Sequence, residues 1–249
     1  MLSLINFIKY LISFLLPIGI IFSQDFSDID NKIVNFNFKE AKVSLEELDK
    51  NSDKNVEVLT RLSIVHHFLS ESAEDKSTER KNAIKAFEYI EKAYTINPKN
   101  PKVLKWYVIA LGKTLEKKSI RKQIEESKNI EKIALSVIEL LPNDEYCYNI
   151  LGQWHYRLAD LNGPSRKIAS FLFSEPPEGS FIEAQFFLEQ SIKINPDNIG
   201  TYYWLGKTYL KINKKQKAIE LFKVGIALDR PFKREEEAYQ AMKSYLNKL

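Results

Sequence analysis

The segment from Ala184 to Gly225, AQFFLEQSIKINPDNIGTYYWLGKTYLKINKKQKAIELFKVG, carries the pattern that determines the architecture. Its apolar residues recur at spacings of three and four, which is the periodicity of amphipathic helices. Pro196 interrupts this pattern, because a proline cannot continue a helix. Leu205-Gly206 lies in the helical segment that follows. The segment therefore predicts the end of one helix at Pro196 and a pair of helices after it.

The packing positions of this helical pair are typical of a tetratricopeptide repeat. Gly206 allows the second helix to cross the first closely, and the second helix carries the small–aromatic–small series Ala218, Phe222 and Gly225. The Leu-Gly pair recurs one unit earlier. We therefore predict that the following residues pack the repeats together: Leu151, Gly152, Leu205, Gly206, Ala218 and Phe222.

Three helices are predicted to end at Pro98, Pro142 and Pro196, and these prolines lie farther apart than the length of an ordinary repeat. Such a repeat has about 34 residues. The extra residues of the first two units are charged and favour helix, so they predict helices lengthened by about one or two turns. Each unit is therefore a helical pair with an insertion between its two helices.

The third insertion, residues 158–180, differs in kind because it contains Gly163-Pro164 and Pro176-Pro177. A proline suits the start of a helix, so a short helix is predicted over residues 165–173. The insertion is expected either to fold over the groove as a lid or to pack against the repeats. Packing would bury its apolar cluster, which comprises Ile168, Phe171, Leu172 and Phe173.

The rest of the chain extends the same pattern in both directions. Residues 25–35 and 39–50 predict a divergent first pair, and residues 233–249 predict a terminal helix that caps the stack. The predicted fold is thus an all-α, tetratricopeptide-like α-solenoid of about four to five helical pairs. It has inserted segments and a C-terminal capping helix, and it occupies residues 24–249.

Composition excludes several classes of protein. The 249 residues are 44% hydrophobic and 28% charged, which is too apolar for a disordered chain. The low content of glycine (8) and proline (9) argues against a loop-rich β fold. A single cysteine, Cys147, excludes an internal disulfide. The net charge of +4 is mild, so no nucleic-acid partner is predicted.

The N-terminal run from Met1 to Phe22 is apolar, carries Lys9, and is followed by the small residue Ser23. This pattern predicts that residues 1–23 are a cleaved signal peptide, which would make the protein periplasmic or secreted. The alternative is an uncleaved membrane anchor, because about 20 residues suffice to span the hydrocarbon core.

A family resemblance emerges from two further motifs. The Leu151-Gly152-Gln153-Trp154 run and the RKIASFLFSEPP run of residues 166–177 resemble the signature of the regulator of microtubule dynamics family. Gln153 and Ser174 depart from its usual Arg and Gly. The resemblance covers about residues 56–228 and implies a non-catalytic interaction protein, some of whose relatives associate with microtubules or organelle membranes. The residues of the insertion that carry the resemblance are Arg166, Lys167, Ile168, Ala169, Phe173, Glu175, Pro176 and Pro177.

In a solenoid of this kind the first helix of each pair lines the concave face. The repeat register predicts a partner-binding groove made of Lys102, Lys105, Lys113, Asn149, Gln153, Tyr156, Arg157, Tyr203, Lys207 and Lys211. Six of these residues are basic, and the register gives only one acid, Glu57, among the inward positions. This asymmetry predicts an acidic protein or peptide segment as the partner, or an anionic lipid headgroup. The alternative is that these lysines merely solvate a helix face.

Few residues are candidates for catalysis. His66 and His67 are adjacent and point about 100° apart on a helix, so they cannot bind one metal together. His155 occupies an aromatic packing position. Cys147 has no accompanying base, and its acidic neighbours are expected to raise its pKa. We therefore predict no enzymatic activity, no metal and no cofactor.

Two functions remain from different classes. The first is a scaffold that binds a partner segment in the basic concave groove, with tubulin as a possible partner if the source is eukaryotic. The second is a lipid-handling solenoid at a membrane, holding an acyl chain beneath the insertion. Direct microtubule binding is a third possibility, and it predicts pelleting with polymerised tubulin that weakens with salt.

Overall fold

The computed structural model describes residues 25–51, 55–116, 118–161, 163–172, 177–230 and 232–249. All regular secondary structure among these residues is helical. The helices are α1 (Ser27–Val34), α2 (Phe38–Asn51), α3 (Val56–Glu71), α4 (Lys76–Ile96), α5 (Pro101–Leu115), α6 (Ile120–Leu140), α7 (Glu145–Ala159), α8 (Gly163–Leu172), α9 (Phe181–Ile194), α10 (Ile199–Lys211), α11 (Lys215–Gly225) and α12 (Lys233–Leu246).

The helices pack as successive pairs, with α1 on α2, α3 on α4, α5 on α6, α7 on α9 and α10 on α11. The first helices α3, α5, α7 and α10 also contact one another in series and form the inner layer of the stack. The last helix, α12, covers α10 and α11. The predicted solenoid of four to five pairs with a capping helix is confirmed.

The ends of the helices follow from short-range chemistry in the sequence. Asn55, Asn100, Asp144 and Asn198 each precede an inner helix, and the side-chain oxygen of each accepts a backbone N–H of its first turn. A cap of this type contributes about 1 kcal/mol to helix stability. The outer helices α4, α6 and α9 each end two residues before the proline that was predicted to stop them.

The first two insertions lengthen the outer helices, as predicted. Helices α4 and α6 each have 21 residues, whereas α11 has 11. The third insertion forms α8, which packs against α6. The side chains of Ile168 and Ala169, and residues 173–176 with Phe173, Glu175 and Pro176, lie outside the described part of the chain.

One expectation about this insertion is wrong. Phe171 was predicted to be buried with its apolar neighbours, but its side chain is 90% exposed. The main described neighbour of helix α8 is α6, and Phe171 lies on a face that this contact leaves uncovered. The insertion's role as a lid or as packing stays a prediction.

The Leu-Gly pairs lie where two helices pack closely against each other. A Cβ atom built on Gly152 would overlap the Leu188 side chain of α9, and one built on Gly206 would overlap the ring of Phe222. Leu151, Leu205, Ala218 and Phe222 are all buried. Burial of a side chain such as Phe222 stabilises the fold by about 1.5–3 kcal/mol. All six residues are therefore buried or lie in contact with a neighbouring helix.

Residues 1–23, predicted to be a signal peptide or an anchor, lie outside the described residues. None of the helices that the structure describes combines the length and apolar character needed to cross a bilayer.

Candidate partner-binding surface

The ten predicted groove residues fall on three adjacent inner helices: Lys102, Lys105 and Lys113 on α5, Asn149, Gln153, Tyr156 and Arg157 on α7, and Tyr203, Lys207 and Lys211 on α10. The structure brings some of them together and gives others to ion pairs or to helix packing. Only part of the basic groove predicted from the register is therefore available to a partner.

Several of the predicted cations are already neutralised. Lys113 is 7% exposed, and its Nζ lies 2.8 Å from Glu71 Oε1 and 3.2 Å from Glu79 Oε1. Lys105 pairs with Asp144 and is 16% exposed. A lysine held in this way offers little charge to a partner.

The expectation of a single acid in the groove is wrong. The missed acids are Glu71, Glu79, Glu116, Asp144 and Asp160, and each forms an ion pair with one of the predicted cations. Glu79 belongs to the outer helix α4, and the other four stand at the ends of inner helices, as last residue or as cap. The repeat register counts positions within an inner helix, so it could not include them.

Asn149 and Tyr156 link the inner helices α7 and α10, and Gln153 supports Asn149 from within α7. Asn149 Nδ2 donates to Thr201 Oγ1 of α10 at 2.7 Å, and Gln153 Nε2 donates to Asn149 Oδ1 at 2.6 Å. Tyr156 is 3% exposed and packs edge-on against Trp204 and Phe181. These side chains form a floor for the concave face.

The remaining cations gather where α7 meets α10. Lys207 Nζ lies 4.4 Å from the ring centre of Trp204, 4.7 Å from that of Tyr156 and 5.2 Å from that of Tyr203. The Arg157 guanidinium lies 5.1 Å from the centre of the same Trp204 ring. We call Arg157, Tyr203, Trp204 and Lys207 the cationic subsite.

The positive charge of the cationic subsite is only partly compensated. Within the described residues, no carboxylate oxygen lies within 4.0 Å of Lys207 Nζ. Burial lowers the pKa of Lys207; the Asp160 charge opposes this effect, and the Arg157 and Lys211 charges add to it. The ion pair that Arg157 makes with Glu116 is a long one, 3.7 Å, and the Arg157 side chain is 43% exposed. An anion placed between the two cations would offset the cost of their partial desolvation and reduce their mutual repulsion.

The other two predicted lysines do not belong to the cationic subsite. Lys211 Nζ lies 2.6 Å from Asp160, so this lysine is paired. Lys102, on the first turn of α5, is partly buried, and burial together with the Arg61 charge lowers its pKa.

Sequence reasoning missed that the C-terminal helix reaches the opposite end of the concave face. Phe232 stacks on Phe68 of α3 with ring centres 5.6 Å apart. Lys233 donates to the Glu74 carbonyl oxygen. Arg234 donates to Glu71 Oε1 at 3.2 Å and to Glu116 Oε1 at 2.7 Å. We call Phe232, Lys233 and Arg234 the strap.

The residues considered for catalysis are occupied by packing. Burial raises the pKa of Cys147 to about 12, and Asp144 adds to the effect. Burial lowers the pKa of His67 to about 4. His66 Nδ1 is 2.9 Å from Asn82 Oδ1, and His155 stacks on Phe187. In the described ranges no three His, Cys, Asp or Glu residues are grouped as a metal site.

The paired helices and their inner face define a tetratricopeptide-like helical scaffold. The sequence model described as regulator of microtubule dynamics protein 1-3 matches residues 26–249. The chain belongs to this family.

Similar proteins span a wide range of animals. The chain is 26% identical to regulator of microtubule dynamics protein 1 of Caenorhabditis elegans, over 86% of this chain and 95% of the relative. It is 29% identical to the Bos taurus protein 1, over 78% of this chain and 63% of the relative. It is 32% identical to the Homo sapiens protein 1, over 66% and 54%. The chain thus spans a little over half to about three fifths of these mammalian relatives.

The solved structures that match this chain are less similar to it in sequence than these relatives are. One is MamA from Desulfovibrio magneticus RS-1, with a TM-score of 0.48 and 14% identity over 81% of this chain and 90% of that one. Another is a thermophilic TPR protein of Thermus thermophilus, with a TM-score of 0.49 and 15% identity over 77% and 83%.

Proposed function

We propose that this protein is a non-catalytic scaffold that binds an acidic segment of a partner protein at the cationic subsite. The observation that supports the proposal is Lys207, a partly buried ammonium without a carboxylate partner among the described residues, which faces three aromatic rings beside Arg157. Carboxylates bind such groups through charge-assisted hydrogen bonds. The rings of Tyr203 and Trp204 supply apolar contact for the backbone and stems of the bound segment.

The positions of the remaining cations limit where an acidic segment can bind. Lys105 and Lys113 are engaged elsewhere, so the acidic segment has its charge recognised at the seam between α7 and α10 rather than along the whole groove. Tyr156, Asn149 and Gln153 support this seam from below. A short acidic stretch of a few residues fits this arrangement better than a long polyanion.

We further propose that tubulin is such a partner where the protein has access to it. Its relatives are named as regulators of microtubule dynamics, and the tails of tubulin are acidic. The protein should pellet with polymerised tubulin, less so at high salt, and removal of the tubulin tails should abolish pelleting. Equal pelleting with and without tails would contradict this assignment.

A quantitative binding experiment tests the acidic-partner proposal. Fluorescence anisotropy of a labelled glutamate-rich peptide should show binding that weakens at least about tenfold in Lys207→Glu, because one close charge pair becomes a repulsion. Lys132→Glu is the matched control, because Lys132 is exposed on the outer helix α6 and the change in net charge is the same. Equal weakening in both variants, or none in Lys207→Glu, would contradict the proposal.

The lipid-handling alternative predicts a different result in the same preparation. An anionic headgroup could bind the same two cations, so phospholipid extracted from the purified protein and identified by mass spectrometry would favour it. Lipid-free protein that binds the acidic peptide favours the scaffold.

We also propose that residues 1–23 direct export and are then removed. N-terminal sequencing of the mature protein should begin at about residue 24. A mature protein that retains Met1 would favour the membrane anchor instead.

A further inference from the structure

The surface beneath the strap has the opposite character to the cationic subsite. Phe38 and Phe68 stack with ring centres 5.0 Å apart and planes inclined by 9°. Beside them lie the carboxylates of Glu71 and Glu116. We call Phe38, Phe68, Glu71 and Glu116 the strap receptor. It presents an aromatic shelf next to two negative charges.

The strap matches the strap receptor group by group. The Phe232 ring continues the stack over Phe68, inclined by 22°. The Arg234 guanidinium divides its donors between Glu71 and Glu116, which belong to two different inner helices. Recognition therefore depends on an aromatic residue and an arginine two positions later.

The strap is held by contacts that can be exchanged. The side chains of Lys233 and Arg234 are 47% and 40% exposed, so water and other charged groups can compete for their ion pairs. Helix α12 is anchored elsewhere, because Met242 is fully buried next to Gly225 and Tyr245 stacks on Phe222. The strap can thus leave its receptor while α12 stays in place.

The receptor depends electrostatically on the cations around it. Glu71 is 11% exposed, and its burial alone would raise its pKa. The positive charges near it, Arg234 first, outweigh burial and lower that pKa to about 2. Release of the strap leaves Lys113 as the remaining ion-pair partner of Glu71 among the described residues and removes the Phe232 ring from Phe68. The open receptor then fits a different segment that carries the same kinds of side chain as the strap.

We propose that the strap receptor is a docking site for a partner segment that carries an aromatic residue two positions before an arginine. The chain's own Phe232–Arg234 fills this site until such a segment displaces it. The concave face thus holds two sites of opposite sign, which meet at Glu116, because its Oε1 lies 2.7 Å from Arg234 of the strap and 3.7 Å from Arg157 of the cationic subsite.

A competition experiment on the full chain tests the proposal. The probe is a labelled peptide of residues 228–238, LDRPFKREEEA. Its affinity should rise at least about tenfold in the double variant Phe232→Ala/Arg234→Gln, because the closed strap leaves only a small fraction of wild-type molecules with an open receptor. A control peptide with alanine in place of its phenylalanine and second arginine should bind neither protein.

Two further variants test the contribution of Arg234 and that of the receptor carboxylate separately. Arg234→Gln alone retains every core residue and should raise the affinity by a smaller factor. Addition of Glu116→Gln to the released chain should lower it again, because the peptide arginine loses one of its two carboxylates. Equal peptide affinity in the wild type and both released variants, or equal binding of the alanine peptide, would overturn the proposal.

Discussion

Gly206 of α10 lies against the ring of Phe222 of α11 with no space for even a methyl group between them. The same relationship links Gly152 and Leu188 in the preceding pair. These contacts set how closely the two helices of a unit approach each other. The glycines at these two positions therefore set the distance between the inner and outer helices of each pair.

Gly206→Ala and Gly152→Ala should each lower the free energy of unfolding by about 1–3 kcal/mol, because the added methyl group overpacks a rigid crossing. Gly112 provides the matched control, because nothing lies within 4 Å of a Cβ built at that position of α5. Gly112→Ala should instead raise the free energy of unfolding by up to about 1 kcal/mol through helix propensity. Chemical denaturation measures all three, and similar losses at the three positions would contradict the packing role.

Acid should destabilise the fold well before its carboxylates titrate. Burial lowers the pKa of His67 to about 4 from the ordinary value of 6.5, so the unfolded chain takes up this proton at a higher pH than the folded one. The stability that the neutral His67 contributes is fully present above about pH 6.5, and this contribution is lost as the pH falls toward about 4. Burial lowers the pKa of His66 and His155 in the same direction.

His67 alone should contribute a loss of about 2 kcal/mol between about pH 7 and pH 5. Urea denaturation of the wild type and of His67→Leu at the two pH values measures this loss. The variant should lose about 2 kcal/mol less on acidification, whatever its stability at neutral pH. An identical pH dependence in both proteins would show that His67 is charged in the folded state.

The thiol of Cys147 should be unreactive in the native protein. Burial raises its pKa to about 12, and its accessible surface is close to zero. A thiol-specific reagent at neutral pH should therefore label it only after denaturation, because the thiolate is the reactive form. Rapid stoichiometric labelling of the folded chain would contradict this placement.

The fold could be predicted from the sequence because its determinants are local. Pro98, Pro142 and Pro196 mark the ends of outer helices, and the Leu-Gly pairs mark the crossings. Both kinds of signal act within one helical pair. The terminal helix was also predicted, although only as a cap.

The site was predicted in part, because its charges depend on residues far apart in sequence. Arg157 and Lys207 lie together as the register placed them. The register could not show that Asp144, the cap of α7, takes Lys105 from the helix before it. Nor could it bring Arg234 next to Glu71, because the two residues lie 163 positions apart in the sequence.

The indole N–H signals of the three tryptophans provide a direct measurement of where an acidic segment binds. Trp204 belongs to the cationic subsite, whereas Trp154 is buried with its Nε1 donating to the Ser127 carbonyl at 2.8 Å, and Trp106 packs between His67 and Tyr146. Titration of ¹⁵N-labelled protein with the glutamate-rich peptide should move the Trp204 signal and leave that of Trp154 in place. Saturable peptide binding with an unmoved Trp204 signal would contradict the cationic subsite as the partner-binding site.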